Sequence, residues 1–182
     1  MKLQTYLAEI GRFLKPHRTI PKTPWTATSR WSVNLKNLPI LFFGLAIFGI
    51  GDALLIQSTI GNSPWSVFAQ GLSLRTPLSV GEATAITSIA VLLLWIPLKE
   101  RPGFGTLANI ALIAVFIQVG VDHIPKIEMN ILLQILYVLV GIGLVGMGSA
   151  LYITCGLGPG PRDGLMTSIH NKTGIRIARV RL

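Results

Sequence analysis

The chain has 182 residues, of which 51% are hydrophobic and only 13% are charged, and its mean hydropathy is +0.61. These values favour an integral membrane protein over a soluble domain. The formal net charge of +9 would suggest nucleic-acid binding in a soluble protein. Here the lysines and arginines lie between apolar runs, so membrane orientation and anionic lipid explain the charge better, and we expect no nucleic-acid partner.

The cysteine and histidine content argues against catalysis. The single cysteine, Cys155, excludes an internal disulfide and any cysteine-cluster metal site. His17, His123 and His170 are scattered without the spacing of metal ligands. The sequence shows no nucleophile–base pair, so we expect no enzyme activity, no cofactor and no metal.

Residues 1–37 form a basic N-terminal extension with seven lysines or arginines and one acid, Glu9. Five apolar residues recur within it at helical spacing, which suits a short helix lying on a membrane surface and binding anionic headgroups. These residues are Leu3, Tyr6, Leu7, Ile10 and Leu14. A frayed tail with chance periodicity is the alternative. Trp25 and Trp31 are expected at the level of the headgroups.

Four apolar runs are predicted to be membrane-spanning helices, because each approaches or exceeds the length that a helix needs to cross a bilayer. The predicted spans cover residues 38–60, 80–98, 106–121 and 131–154. The third span is short and is expected to tilt little or to begin inside the turn at Phe104.

Gly/Pro-rich breaks follow the first and the fourth span, at residues 61–65 and 155–161. In the first break Ser63 suits a helix N-cap and Pro64 suits the first helical position, which predicts a short helix over 65–74. The second break leads into a short helix predicted over 162–170. Bare backbone cannot face lipid, so each break must lie at the interface or be buried in protein beside a watery cavity.

The two breaks belong to an internal repeat. A shift of 97 residues aligns them, with nine identities in the 37 gap-free pairs from 44/141 to 80/177. The identical residues of the first copy are Gly44, Gly49, Gly51, Ala53, Leu54, Ile56, Gly61, Pro64 and Thr76. Apolar bias alone would not place span, break and short helix in the same register, so we interpret the repeat as genuine.

Because the repeat unit contains three spans, its second copy must enter the membrane upside down relative to the first. Inverted repeats of this kind are common among secondary transporters. With a cytoplasmic N-terminus, 14 lysines and arginines fall in inner segments and two, Arg75 and Lys126, in outer segments, as the positive-inside rule requires. The predicted fold is therefore an all-α polytopic membrane bundle, built on an inverted three-span repeat.

The predicted units are the extension at 1–37, a first repeat at 38–121 and the start of a second repeat at 131–182. The second and third spans of the first copy would recur near residues 177–218, so we expect the second copy to be truncated at Leu182. The alternative is a four-span protein that ends in a basic cytoplasmic tail.

The second break holds five candidate site residues, Gly158, Gly160, Pro161, Arg162 and Asp163. Its Gly-rich backbone and the start of the following helix are suited to holding an anionic group, with Arg162 as the counter-charge. Pro161 pre-sets the first helical turn, and Asp163 complements the positive helix end. The alternative is a capped turn in which Arg162 is only an inside-positive charge.

In the first copy, the backbone at Gly61 and Pro64 would complete the site, together with Asp52. A carboxylate within an apolar span must face protein or water, and there it could relay protons or bind a cation. The structural alternatives are a pairing with Arg75 or a position near a helix end. Glu82, at the start of the second span, is expected to cap that helix.

Three further features receive structural interpretations. Glycine–alanine pairs four residues apart begin at Gly49 and Gly146, and small residues at this spacing are predicted to pack the two copies together. Trp65 is interpreted as an interfacial anchor, with a pocket as the alternative, and Cys155 as a small filler of the interior.

The motifs resemble those of the YczE/YyaS/YitT group of uncharacterised bacterial inner-membrane proteins. The most specific is the Gly-Pro-Gly-Pro-Arg-Asp-Gly-Leu-Met run at residues 158–166. Others are Gly-Asn-Ser-Pro-Trp at 61–65 with Gln-Gly-Leu at 70–72, and Arg-Pro-Gly-Phe-Gly-Thr-Leu at 101–107 with Asn109. The resemblance implies a multi-pass plasma-membrane protein. The long basic extension and the early end depart from the family pattern.

The leading functional hypothesis is a transporter-like protein that moves a small, anionic solute through a broken-helix site. The alternative is a non-transporting scaffold or regulator of a partner protein. A homodimer in the bilayer fits both. A transporter needs both breaks at membrane depth around a polar cavity, whereas a scaffold can have them at the interface around a dry centre.

Overall fold

The computed structural model describes residues 20–175, and within this range all regular structure is helical. The seven helices are α1 (Asn37–Ser58), α2 (Pro64–Arg75), α3 (Val80–Leu93), α4 (Trp95–Leu98), α5 (Phe104–His123), α6 (Ile131–Thr154) and α7 (Pro161–Thr173). Four stretches are long and apolar enough to cross a membrane, namely α1, α3 with α4, α5 and α6. The predicted all-α bundle with four spans is confirmed. The apolar stripe of residues 3–14 and the arginines Arg176, Arg179 and Arg181 lie outside the described range.

Local sequence explains where the helices begin. Ser63 caps α2 by accepting a hydrogen bond from the Ser66 amide at 3.2 Å, and Pro64 occupies the first turn. Ser79 and Glu82 form a reciprocal capping box at the start of α3, so the expected cap role of Glu82 is found. α7 starts at Pro161 after Gly160, which supplies no side-chain cap.

The predicted second span is divided into two helices. α3 ends at Leu93, and α4 restarts at Trp95 after Leu94. Pro97 accounts for the division, because proline has no amide to donate to the carbonyl four residues earlier and its ring crowds that carbonyl. That carbonyl belongs to Leu93, the last residue of α3.

Helix α1 lies at the centre of the bundle, between α5 and α6. It runs antiparallel to α6 at very close range: a Cβ added at Gly44 would lie 3.2 Å from the Gly148 oxygen, and one added at Gly51 would lie 2.9 Å from the Gly141 oxygen. On its other side, Gly49 lies against the Ile113 carbonyl of α5, 3.2 Å from such a Cβ. Small residues therefore let both neighbours approach the α1 backbone.

The prediction that the pairs beginning at Gly49 and Gly146 pack the two copies together is wrong, because Gly49 packs within the first copy, against α5, and the other pair begins at Gly146 away from α1. No atom lies within 4 Å of a Cβ added there, and α6 instead contacts α1 through Gly141 and Gly148. Helical geometry explains the difference, because Gly146 lies five residues after Gly141 and is therefore rotated by about 140° around the helix. Under the repeat, Gly44 corresponds to Gly141 and Gly51 to Gly148, so the two glycine contacts between α1 and α6 are reciprocal.

The segment before α1 folds back onto the bundle. The Arg30 carbonyl accepts the Phe104 amide at 2.9 Å, and the Arg30 guanidinium forms an ion pair with Glu100 at 2.8 Å. Glu100 also accepts the Ser168 hydroxyl at 3.1 Å. The N-terminal segment, the turn between α4 and α5, and α7 thus meet at one end of the molecule.

Candidate functional site

The second break is buried against the start of α5. Gly156 and Gly158 have φ values of 69° and 111°, which only glycine adopts readily. The Leu157 carbonyl accepts the Gly105 amide at 2.8 Å, and the Pro159 carbonyl accepts the Thr106 hydroxyl at 2.8 Å. Protein groups therefore pair these backbone carbonyls of the break, as a membrane requires.

Two further elements hold this break from its ends. The Cys155 carbonyl accepts the Ala27 amide at 2.8 Å, and the Thr154 hydroxyl accepts the Trp25 indole N–H at 3.1 Å. At the other end, the Pro161 carbonyl accepts the indole N–H of buried Trp95 at 3.0 Å. Trp25, expected at the headgroups, thus has a structural partner in α6.

The first break is more open. Thr59 ends α1 with a positive φ of 64°, and Gly61 has no atom within 4 Å of an added Cβ. Its ties run to the polar link between α5 and α6, where the Thr59 hydroxyl donates to the Ile127 carbonyl at 2.8 Å. Gln57 also donates to the Val121 carbonyl at 2.8 Å. The Thr59 hydroxyl also accepts the side-chain amide of Gln134 in α6 at 2.9 Å, so these bonds hold the α1 end of the break while Gly61 itself stays open.

The starts of α2 and α7 line the same cavity, which has a volume of about 530 Å³. Its polar groups come from α1, from the first break and from the start of α7, and they are Asp52, Ser63, Arg162 and Asp163. Its apolar wall comes from α1, α2, α6 and α7, and includes Phe48, Leu55, Trp65, Val145, Leu165 and Met166. The cavity therefore has an apolar body with a small charged end.

The three charged groups have different partners. The guanidinium of Arg162 lies over the Trp65 ring, with Cζ 5.5 Å from the ring centroid. Asp52, which is 3% exposed, accepts the Ser66 hydroxyl at 3.0 Å, and Asp163 accepts the Tyr152 hydroxyl. Both carboxylates are thus held by neutral hydroxyls.

The structure brings together four of the eight predicted site residues, Asp52, Pro64, Arg162 and Asp163. Gly160 lines a small adjoining cavity of about 50 Å³. The other three lie apart from the main cavity: Gly158 packs on Gly103, Pro161 is held by Trp95, and Gly61 lines a separate cavity of about 420 Å³.

The pairing of Asp52 with Arg75 is replaced by another partner, and Trp65, interpreted as an interfacial anchor, follows the alternative that placed it at a pocket. Asp52 bonds to Ser66 and not to Arg75 within the described range, and Trp65 lines the cavity. Ser66 and Tyr152 are functional neighbours that the sequence analysis missed. Each is a hydroxyl in an apolar setting, and that was the available signal. Phe48 also lines the cavity, but nothing distinguishes it from the other apolar residues of its span.

No group of three or more His, Cys, Asp or Glu side chains that could hold a metal occurs within residues 20–175. Cys155 is fully buried, and its sulfur lies 3.3 Å from the Leu151 carbonyl, as expected of a packing residue.

The four apolar spans and the buried break define a polytopic helical membrane protein. A family model described as a family of unknown function, DUF6198, matches residues 35–182, and the chain belongs to this family. No solved structure matches the chain.

Three relatives are similar over most of the chain. An uncharacterized protein of Haemophilus influenzae is 44% identical over 92% of this chain and 76% of its own length. The uncharacterized membrane protein YczE of Bacillus subtilis is 36% identical over 84% of this chain and 68% of its own length. The uncharacterized protein YyaS of the same organism is 31% identical over 70% of this chain and 65% of its own length. The predicted resemblance to YczE and YyaS is confirmed, and the part that names YitT stays a prediction.

Proposed function

We propose that this membrane protein is a transporter-like protein of the bacterial inner membrane that binds a small solute in the 530 Å³ cavity between α1, α2, α6 and α7. One observation carries the proposal: the starts of the two short helices, which follow the two breaks, line one cavity together. Secondary transporters commonly build their solute sites from broken helices in this way.

The depth of the cavity supports the proposal. Phe48 and Asp52 are interior positions of α1, and Val145 is an interior position of α6. Both helices have the length and hydropathy of membrane spans. A mostly apolar cavity with a charged end beside span interiors is suited to holding a solute away from both aqueous phases, whereas a scaffold or regulator of a partner needs no such cavity.

The reciprocal glycine contacts support the inverted repeat on which this plan depends. In an antiparallel pair related by a two-fold axis, contacts are reciprocal: if one residue contacts the counterpart of a second residue, the second residue contacts the counterpart of the first. Gly44 with Gly148 and Gly51 with Gly141 follow this rule. We therefore place the pseudo-two-fold axis between α1 and α6, close to the cavity.

The orientation follows from charge. Arg30 and Arg101 lie together at the end of the bundle where the second break is packed, and the Arg30 guanidinium donates to the Arg101 carbonyl there. Lys172 reaches the Pro97 carbonyl at the same end, at 3.4 Å. By the positive-inside rule we propose that this end is cytoplasmic and that basic residues of the N-terminal extension contact anionic lipid headgroups.

Cysteine accessibility tests the proposal. In a Cys155→Ala background, Ser63→Cys, Val145→Cys and Met166→Cys place single thiols on the cavity wall. We expect each to react with a small water-soluble thiosulfonate in the membrane. Ala69→Cys is the matched control, because Ala69 is fully buried outside the cavity, and it should stay protected. Cavity thiols as unreactive as the Ala69→Cys thiol would contradict a solute cavity and favour the scaffold.

A further inference from the structure

We propose that the solute is a small amphipathic anion, such as an organic carboxylate, and that it enters the cavity together with one proton, which Asp52 accepts. The inference rests on the proposed solute cavity and names its substrate class and its coupling.

The guanidinium of Arg162 is a donor group without an acceptor. Among residues 20–175, no carboxylate lies within 4.0 Å of it as an ion pair, and it makes no hydrogen bond. Its Cζ lies over the face of the Trp65 ring, 5.5 Å from the centroid, and it lines the cavity beside Asp52 and Asp163. The planar fork of N–H donors that remains matches a carboxylate or phosphate group.

The ends of two helices add to this preference. The cavity is lined by Pro64 at the first position of α2 and by Arg162 in the first turn of α7. Backbone amides in a first helical turn have no partner within the helix, and the helix dipole makes that end positive. In α2 Ser63 already caps the Ser66 amide, whereas Gly160 contributes no side-chain cap to α7, so the amides of Arg162 and Asp163 remain available.

The apolar part of the cavity wall determines which chemical group accompanies the anionic group of the solute. Phe48, Trp65 and Met166 form an apolar surface next to the charged end. A hydrated inorganic ion would leave this apolar surface in contact with water, whereas an apolar group attached to a carboxylate would cover it. The arrangement therefore favours an amphipathic anion over a simple inorganic one.

Two carboxylates line the same cavity, so an anion needs compensation. With Asp52, Asp163 and Arg162 all ionised, these groups carry a net charge of −1. Asp163 lies in the positive first turn of α7 and accepts the Tyr152 hydroxyl, and both interactions stabilise its charge. Asp52 lies within the α1 span with one neutral donor, which makes it the group that takes the proton.

A hydroxyl relay connects Asp52 with the cavity wall. The Ser63 and Ser66 hydroxyls lie 2.8 Å apart, and the Ser66 hydroxyl donates to Oδ2 of Asp52 at 3.0 Å. A hydronium ion in the cavity gives its proton to the carboxylate of Asp52 and leaves water behind. The transfer is direct, or it runs through the two hydroxyls, each of which accepts one proton and passes on its own. One O–H bond breaks in hydronium and one forms on Asp52, and the neutralised carboxylate offsets the charge brought by the anion.

Isothermal titration of the purified full chain with benzoate and with benzylammonium tests the substrate class. The two probes carry the same ring and opposite charges. We expect benzoate to bind and benzylammonium not to bind. Arg162→Gln should weaken benzoate binding by about tenfold or more, because a charge-assisted hydrogen-bond donor is lost. Glu82→Gln is the control, because Glu82 caps α3 at an exposed position, and it should bind benzoate normally.

The proton is measured by repeating the benzoate titration in Tris and in imidazole buffers, whose ionisation enthalpies differ. We expect uptake of about one proton per benzoate near neutral pH. Asp52→Asn, which imitates the protonated carboxyl, should retain benzoate binding and lose the uptake. Benzoate binding without proton uptake by the native chain would overturn the role of Asp52.

The outcomes separate this inference from the proposed function. Preferential binding of benzylammonium, or binding of neither probe while the cavity cysteines are labelled, would overturn the anion class and leave the solute cavity standing. Unlabelled cavity cysteines would overturn the proposed function itself.

Discussion

The two breaks share a sequence pattern and a register in the repeat, but the bundle holds them differently. The second break is buried among α5, α4 and the segment before α1, and its glycines at 156 and 158 adopt positive φ. The first is tied at its α1 end to the link between α5 and α6 and to Gln134 of α6, and Gly61 faces open space. The charged pair of the site, Arg162 and Asp163, directly follows the rigid break.

The two breaks therefore differ in how firmly they hold the short helix that follows each of them. The second break is buried and held by hydrogen bonds to α5, α4 and the segment before α1, which fixes the direction of α7 and so the position of Arg162 over Trp65. The first break has fewer buried hydrogen bonds, so we expect α2 to be held less firmly than α7. Segments with few buried contacts are the ones that open first in a folded protein.

The largest expected difference comes from adding one methyl group to each break. Gly158→Ala should destabilise the protein by about 3 kcal/mol, because alanine disfavours φ of 111° and its Cβ would lie 2.9 Å from Thr106 Oγ1. Gly61→Ala should change stability by less than about 0.5 kcal/mol. Thermal unfolding in detergent measures both. Equal effects of the two substitutions would remove the distinction between a rigid and a loose break.

A smaller difference is expected from the hydrogen bonds that hold each break. Trp95→Phe leaves the Pro161 carbonyl without its buried donor and should cost about 2 kcal/mol. Thr59→Val removes a bond to the Ile127 carbonyl that is exposed to water and a bond from Gln134, whose amide keeps the Ile127 carbonyl as a partner, and it should cost under about 1 kcal/mol. Hydrogen exchange of residues around each break would localise the loss. A larger loss from Thr59→Val would reverse the comparison.

The smallest effect concerns pH and the end of the bundle beside the second break. The hydrogen bond from Arg30 is the main cause that lowers the pKa of Glu100. Its stabilisation is therefore present above the unfolded pKa of about 4.3 and is lost as the pH falls through the lower folded value. The pair is partly exposed, so the contribution should be under about 1 kcal/mol. Glu100→Gln should therefore reduce the dependence of the free energy of unfolding on pH below about pH 5. It should leave the slope of that free energy at about pH 7 almost unchanged.

The spans and the helix starts were predictable because local chemistry determines them. Apolar length identified four spans, and Ser63 with Pro64 marked the start of α2. Pro97 indicated an irregularity near the end of the second span, which the structure divides at Leu94. A hydropathy pattern does not show whether a proline bends a span or divides it. Charge within an apolar context singled out Asp52 and Arg162, which line the same cavity.

The partners of those charges were not predictable. Ser66 and Tyr152 reach the two carboxylates across helices, and such contacts depend on helix rotation and crossing, which a single sequence does not specify. The same limit explains the error at Gly146, where a spacing of four residues was taken for a contact although the packed face follows a spacing of seven. The fold-back of residues 25–30 onto the second break also had no signal, because polar loop residues can bond to any nearby backbone.

A cross-link tests most directly whether the starts of α2 and α7 line one cavity. Ser63→Cys and Met166→Cys are combined in the Cys155→Ala background and treated in membranes with a short bifunctional thiosulfonate. Gly61→Cys with Met166→Cys is the control, because Gly61 lines a different cavity. We expect an intramolecular cross-link in the first pair and little or none in the control. Single labelling at Ser63→Cys and Met166→Cys without a cross-link would show two separate pockets and contradict the shared cavity.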